Sequence, residues 1–305
     1  MKISVVVATH NRRALLERVA EAVCQQSLPA DRTEVILVDD GSTDGTDALG
    51  AELAKRGHVR YLRQENRGVA AARNRGIREA AGDVVAFTDD DCLVPPDWLE
   101  RLADGYARHP EVIGVGGRLV APPDVLRTRA VARLEDHVAR CVYGAGDQEA
   151  LGGFECPAGG TNNMSYRRTA LLEVGGFDES FPPFVWGEDA DLKLRLTLRG
   201  GRLLYVPVAV LHLRDYGLRP FLRQSVQRGR GEAHFRLKHD GRRGWPAHLK
   251  RLVLAPLRLL AAPFRRDPAM RAAAALGDAA LALGCIGYHS KVLSDPKRTT
   301  RSPQK

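Results

Sequence analysis

Five short apolar, β-branched runs alternate with four stretches of helical period over the first 121 residues. The runs are Ile3–Ala8, Glu34–Asp39, Val59–Arg63, Asp83–Thr88 and Val112–Ala121. Between them lie Arg12–Gln26, Asp47–Lys55, Gly68–Ala81 and Pro96–His109. Such alternation leaves few options, because each helix returns the chain across one face of a sheet and the next strand then lies parallel to the last. The expected fold is α/β, a mostly parallel sheet flanked by helices. Asn11 stands where a helix cap is needed, and Pro96 is acceptable in a first helical turn.

Two of these strands end in carboxylates. The fourth runs directly into Asp89, Asp90 and Asp91. Like charges repel, so gathering three of them implies something cationic among them. Open α/β sheets bind ligands beyond the carboxyl ends of their strands. A hard divalent ion fits there, since it takes oxygen ligands and can bridge to a diphosphate. Taken alone, the triplet also reads as an acidic loop facing water. The second strand runs into VDDGSTDGT (Val38–Thr46), where Asp39 or Asp40 could accept the imide N–H of uracil or a ribose hydroxyl. Between the two clusters, Arg67, Arg73 and Arg75 open a helix, an expected place for diphosphate contact.

The middle of the chain is less regular. Asp124–Val142 reads as helix and Gly144–Gly160 as glycine-rich loop. A short strand at Asn163–Tyr166, helices at Arg168–Val174 and Glu188–Arg199, and a strand Leu203–Val206 stopped by Pro207 follow. Beyond His212 the texture changes to three helical stretches, Pro220–His239, His248–Phe264 and Ala269–Val292, before a polar tail, Asp295–Lys305, expected to be disordered. Residues 1–205 carry 26 Lys and Arg against 31 Asp and Glu, whereas residues 206–305 carry 20 against 6. Apolar helix faces laced with Lys and Arg suit an anionic membrane interface, or else pack on the main domain with a solvated basic face. Nucleic acid is not expected, because these arginines alternate with leucine and alanine rather than with stacking aromatics. No run of about 18 apolar residues is present, so no spanning helix is predicted. MKISVVVATHNRR reads as a first strand rather than a signal peptide. The five cysteines are scattered without a CxxC pair, which fits a reducing compartment and no zinc or disulfide framework; Cys92 is expected simply to pack.

SVVVATHNR, VDDGSTDGT, ENRGVAAARNRGI and FTDDDCLVPPDWL, in this order, resemble family 2 glycosyltransferases of the GT-A fold. GGTNNMSYRR (Gly159–Arg168), GGFDESF (Gly175–Phe181) and WGEDADLKLR (Trp186–Arg195) resemble the acceptor-side segments of the same family. The match spans about residues 3–212. The resemblance implies an inverting transfer of sugar from a nucleotide-diphosphate donor, a UDP-sugar being the expected one, to a hydroxyl of a lipid-linked or cell-surface glycan acceptor. It places Thr9 with Asp39 or Asp40 at the nucleotide base, Arg73 near the diphosphate, and Asp90 near the ribose. Asp89 and Asp91 match the Asp-x-Asp pair and, with His212, the implied site of Mn2+ or Mg2+. Cys92 departs from the pattern, which often has a fourth acidic residue there. Asp189 matches the general base, with Asn162, Asn163, Trp186 and Glu188 on the acceptor side; Glu188, Asp189 and Asp191 could alternatively serve only a helix N-terminus. Arg228 and Arg230, flanking Gly229, either close over the diphosphate or form a solvated helix face.

The implied layout is a GT-A catalytic domain over 1–215, with a nucleotide-sugar half to about 121 and an acceptor half over 122–215. A basic helical extension, 216–294, and the tail 295–305 follow. The implied setting is polysaccharide biosynthesis in the cytoplasm, at the inner face of the cell membrane. Two other readings compete. A sugar-nucleotide nucleotidyltransferase would carry a glycine-rich basic loop after the first strand, and ATHNRR has no glycine. A non-catalytic membrane- or polyanion-binding protein would leave the acidic set without a task.

Overall fold

The computed structural model describes residues 1–57, 59–142, 144–158, 160–181, 187–239, 245–264 and 266–294. Its strands are β1 (Ile3–Thr9), β2 (Thr33–Asp39), β3 (Arg60–Arg63), β4 (Val84–Asp89), β5 (Cys92–Leu93), β6 (Gly114–Val120), β7 (Ala150–Gly152), β8 (Met164–Arg167) and β9 (Leu203–His212). Its α-helices are α1 (Arg13–Cys24), α2 (Thr46–Lys55), α3 (Val69–Glu79), α4 (Trp98–Arg108), α5 (Pro123–Thr128), α6 (Ala130–His137), α7 (Arg168–Glu173), α8 (Glu188–Leu198), α9 (Leu218–His239), α10 (Trp245–Ala261) and α11 (Pro268–Ser294). The chain forms two compact units. The first comprises Met1–Pro122, Asp136–Glu179 and Asp189–Arg214. The second comprises Pro123–Glu135, Ser180–Glu188 and Asp215–Lys305.

The first unit is built on one sheet of order β3-β2-β1-β4-β8-β6-β9-β5, with β7 paired to β9. β3, β2, β1 and β4 are parallel, as the alternating pattern predicts. Beyond them the sheet is mixed: β6 and β9 pair in parallel, whereas β8 runs antiparallel to both β4 and β6, and β5 and β7 run antiparallel to β9. Period-two alternation divides the core. Val5 and Val7 face Leu16, Val19, Leu49 and Trp98 of α1, α2 and α4. Val6 and Phe87 face Ala72, Ile77, Leu171 and Leu192 of α3, α7 and α8. Phe87 is fully buried, so Phe87→Ala should cost about 3–5 kcal/mol.

Several local expectations are corrected. Asn11 is not the cap of α1. It sits at φ 53°, and its side-chain oxygen accepts the backbone N–H of Thr43 at 2.8 Å, while Arg12 occupies the cap without a side-chain bond. The predicted helix Asp124–Val142 breaks into α5, α6 and a π-turn at Val138–Val142. β9 runs through Pro207 to His212, because its pairing with β6 skips register between Gly116 and Arg118, where a missing backbone N–H is tolerated.

The second unit is helical. α9 and α11 meet at backbone distance: a Cβ on Gly229 would lie 1.9 Å from the Leu281 carbonyl oxygen, and one on Gly284 2.0 Å from that of Val226. Asp267 caps α11 through the Met270 N–H at 3.1 Å and receives Arg133 in a two-pronged ion pair. Contrary to the sequence expectation, α11 contains a stretch, Pro268–Ser290, long and apolar enough to cross a membrane by length and composition. Single charges at Arg271 and Asp278 interrupt the run without lowering its mean hydropathy far. Residues 295–305, expected to be disordered, lie outside the described residues.

Candidate active site

The strand order reverses at β1, which has β2 on one side and β4 on the other. Crevices open at such switch points, beyond the carboxyl ends of the strands. Thr9, Asp39 and Asp89 end these three strands in mutual register, Thr9 opposite Asp39 and Ala8 opposite Asp89.

The two carboxylates after β2 are spent on structure. Asp39 is fully buried, accepting the Ser42 N–H at 2.8 Å on one oxygen and the Tyr61 hydroxyl at 2.7 Å on the other. Asp40 accepts Gln64 Nε2 at 2.8 Å and the N–H groups of Arg67 and Gly68 at 3.0 and 2.8 Å. It thereby ties the end of β2 to the entry of α3. Gly41, at φ 76°, makes the turn between them possible; a Cβ there would lie 2.8 Å from the Asn66 nitrogen.

The triplet after β4 is arranged differently, each carboxylate facing its own partner. Arg73, on α3 and almost wholly buried, donates to Asp89 Oδ1 at 2.9 Å. Thr9 Oγ1 donates to Asp90 Oδ2 at 2.7 Å. Asp90 keeps some exposed surface, yet its carboxyl is crowded by protein. Burial pushes it up to about 7, helped by the charges of Asp91 and Asp89 and opposed by the Thr9 hydroxyl. Asp91 meets His212 Nε2 at 3.4 Å and Arg12 Nη2 at 3.8 Å. Burial alone would raise Asp91, but His212 and Arg12 outweigh it and hold the carboxyl below its usual range.

The meeting of Asp91 with His212 has a backbone cause. β5 pairs with the end of β9, setting Cys92 opposite His212, and the Leu213 N–H donates to the Asp91 carbonyl at 2.8 Å. The ligand atoms of Asp91, Cys92 and His212 all lie within 4.8 Å of one another. A carboxylate and an imidazole make a donor set suited to a divalent ion such as manganese. Cys92 contributes less: burial, with Asp89 and Asp91 nearby, raises its thiol well above the ordinary value, so it packs in the core protonated. Asp89, held by Arg73, stands outside this cluster.

Asp189 is the second residue of α8. Its Oδ1 accepts the Ala190 N–H at 2.8 Å, and a Cβ on Gly160 would lie 2.5 Å from its Oδ2. The Gly160–Asn162 segment rests on β4, where Thr88 Oγ1 donates to the Asn162 carbonyl at 3.2 Å. Asp189 and the aspartate triplet thus share one end of the sheet. Asp191, by contrast, is fully buried against Arg195, whose other nitrogens hold the carbonyls of Val174 and Gly176.

Asn163 is not available to an acceptor. It is fully buried, its amide donates to the carbonyls of Arg118 and Val208 at 2.9 and 3.0 Å, and its oxygen accepts Trp98 Nε1 at 2.9 Å. Asn162 keeps its side chain half-exposed. Glu188 belongs to the second unit and accepts the Gly187 N–H at 3.2 Å. Arg228 and Arg230 bond Glu135 and Gln227 within that unit. Trp186 lies outside the described residues. Sequence reasoning missed Arg12 and Glu179. Glu179 joins Arg67 at 2.8 Å to Asn74 at 2.9 Å, and Asn74 in turn clamps both backbone groups of Phe177. Glu179 does stand in the acceptor-side segment GGFDESF, but nothing in that string reveals a partner more than a hundred residues away.

Residues 4–175 match the family described as Glycosyl transferase family 2. The chain belongs to that family. Among its relatives, the glucosyl-dolichyl phosphate glucuronosyltransferase of Haloferax volcanii is 33% identical over 185 residues, 58% of this chain and 56% of that protein. The pre-mycofactocin glycosyltransferase of Mycobacterium tuberculosis is 34% identical over 218 residues, 67% of this chain and 43% of that protein. This family 2 chain spans about half the length of these curated relatives. In fold it resembles a mannosyltransferase of Pyrobaculum calidifontis solved with GDP-Man and Mn2+, with TM-score 0.60 and 21% identity over 96% of this chain and 75% of that one. It also resembles GalNAc-T7 solved with UDP, GalNAc and Mn2+, with TM-score 0.54 and 19% identity over 76% and 50%. These likenesses establish the GT-A fold, with a helical extension in this chain.

Proposed function

We infer that this protein transfers a sugar, with inversion, from a nucleotide-diphosphate donor to a hydroxyl of a lipid-linked or cell-surface glycan. A UDP-sugar is the donor we propose. The observation that carries the reading is the shared sheet end where Thr9–Asp90, Arg73–Asp89, Asp91–His212 and Asp189 converge. Inversion requires the acceptor oxygen to approach the anomeric carbon opposite the departing diphosphate. That hydroxyl is far too weak an acid to ionise alone, so a carboxylate must take its proton as the new bond forms. Asp189 is given this role, since its Oδ2 makes none of the described hydrogen bonds and faces Gly160, which has no side chain to cover it. Arg73 and Arg12 set positive charge beside the carboxylates where a diphosphate would leave. A divalent ion, Mn2+ or Mg2+, held by Asp91 and His212 would neutralise the charge of that leaving group. Thr9, Asp39 and Asp40 shape the nucleotide end, and Asp90 lies toward the ribose. Asn162, Glu188 and Trp186 are assigned to the acceptor.

We place this work at the cytoplasmic face of the membrane; a relative named for a dolichyl phosphate substrate and the basic C-terminal part support the membrane association. The test is direct: the purified chain with Mn2+ and a panel of nucleotide sugars, scored by donor turnover and by NMR of the product's anomeric configuration. Turnover with inverted configuration is expected. Retention of configuration would remove Asp189 as base, and inertness with every donor would remove the reading.

A further inference from the structure

The second unit contains two helices that invite a membrane, and they differ in what they have left to offer. α11 has the length and apolarity of a span. Leu283 is exposed, but one side of the helix is committed to protein: Ala273, Ala275, Ala282 and Cys285 are buried, Cys285 Sγ donates to the Gly229 carbonyl at 2.9 Å, and Asp278 at its centre is bonded to Arg258. α9 lies against it at backbone distance and carries Arg223, Arg228, Arg230, Glu232 and Arg236. A helix so charged cannot follow α11 into hydrocarbon, where each such group is costly.

α10 is the opposite case. Ala255 is buried on one side. On the other, Val253, Leu257 and Leu260 are 63%, 61% and 73% exposed. Their spacing of four and three residues puts them in one stripe. Lys250, one turn earlier, extends the same stripe with an exposed cation. Large apolar side chains aligned in this way are rare on a surface that faces only water. The surrounding sequence supplies the matching charge, since residues 206–305 hold 20 Lys and Arg against 6 Asp and Glu.

We propose that the Val253–Leu257–Leu260 face of α10 lies in the interface of an anionic bilayer, and that α11 does not cross it. The inference rests on the membrane reading above and sharpens it: the protein sits on one leaflet through a single helix face. Apolar burial supplies the attachment, and the basic surface selects anionic lipid.

Flotation of the full chain with vesicles of phosphatidylglycerol and phosphatidylcholine, against phosphatidylcholine alone, tests this. Binding should require the anionic lipid and weaken with salt. The triple variant Val253→Glu, Leu257→Glu, Leu260→Glu should lower partitioning by roughly tenfold or more, since three exposed apolar side chains lose their burial. Leu198→Glu, at an equally exposed leucine of the first unit, should leave it unchanged. Carbonate at high pH should release the protein from native membranes. Equal binding by the triple variant, resistance to carbonate, or a dimer in sedimentation that the triple variant abolishes would each overturn the proposal. Donor turnover in vesicle-free buffer, measured in parallel, separates the two readings: its absence alone sinks the transferase assignment and leaves the lipid result standing.

Discussion

Two carboxylate clusters end the two strands that flank β1 in one sheet, and their side chains do different work. Asp39 and Asp40 are saturated by backbone N–H groups, a tyrosine hydroxyl and a glutamine amide. Asp89 meets a guanidinium, Asp90 a hydroxyl, and Asp91 an imidazole and a second guanidinium, and the three hold no backbone N–H in the described bonds. A carboxylate ringed by backbone donors is fixed and fastens a loop. One facing side chains can exchange them for ligand atoms. The position of an aspartate after a strand therefore says where it lies, and its donors say whether it is free to act.

The comparison breaks or holds most visibly at Asp189, whose Oδ1 accepts one backbone N–H while its Oδ2 makes none of the described hydrogen bonds. Asp189→Asn keeps the shape and the bond from Ala190 but cannot take a proton. Transfer should fall about a thousandfold, with donor affinity and melting temperature unchanged. Comparable loss of stability would place Asp189 with the fastening carboxylates instead.

Next in size is Asp91. Asp91→Ala, or chelation of divalent ions in the wild-type protein, should lower turnover about a hundredfold. In the variant, calorimetric titration should show donor binding that no longer responds to Mn2+. His212→Ala should reproduce this in part. Mn2+-dependent binding retained by both variants would dissolve the distinction drawn for the triplet.

How much of this was legible follows the same division. The βαβ repeats are coded locally by period and turn chemistry, so β1 to β4 and their helices emerge within a few residues of their places. The triplet and Asp189 carry recognisable strings. Pairing between distant strands carries none. β5 is only Cys92–Leu93, and it brings His212 to Asp91 across 121 positions of sequence through antiparallel bonds that no local pattern announces. Pro207 misled because proline normally ends a strand, whereas here it falls in a register shift. Asn163 misled because a polar residue beside a glycine-rich loop reads as surface, yet it satisfies two carbonyls of the sheet and the Trp98 indole of α4.

The fastening side of the comparison predicts stability changes. Asp40→Asn places an amide donor against the N–H of Gly68 or Arg67. A buried donor left without an acceptor costs about 1–3 kcal/mol, so the melting temperature should drop by roughly 4–10 °C. Asn163→Ala strands Trp98 Nε1 and two carbonyls and should destabilise to a similar degree. Calorimetry checks both. Activity per folded molecule should stay within a few-fold for each, and a selective loss of turnover would move either residue into the chemistry.

The smallest effect distinguishes two adjacent asparagines. Asn162 uses its backbone carbonyl to hold Thr88, and its half-exposed side chain makes none of the described hydrogen bonds. Asn162→Ala therefore leaves nothing unpaired in the protein, and the melting temperature should not move. If its amide meets an acceptor hydroxyl, losing one neutral hydrogen bond is worth about 0.5–1.5 kcal/mol, a roughly two- to twelvefold rise in acceptor KM with donor KM constant. Steady-state kinetics at saturating donor reads this directly. An unchanged acceptor KM would take Asn162 out of the acceptor site, and a fall in stability would mean that its side chain fastens the Gly160–Asn162 segment after all, as Asp40 fastens the entry to α3.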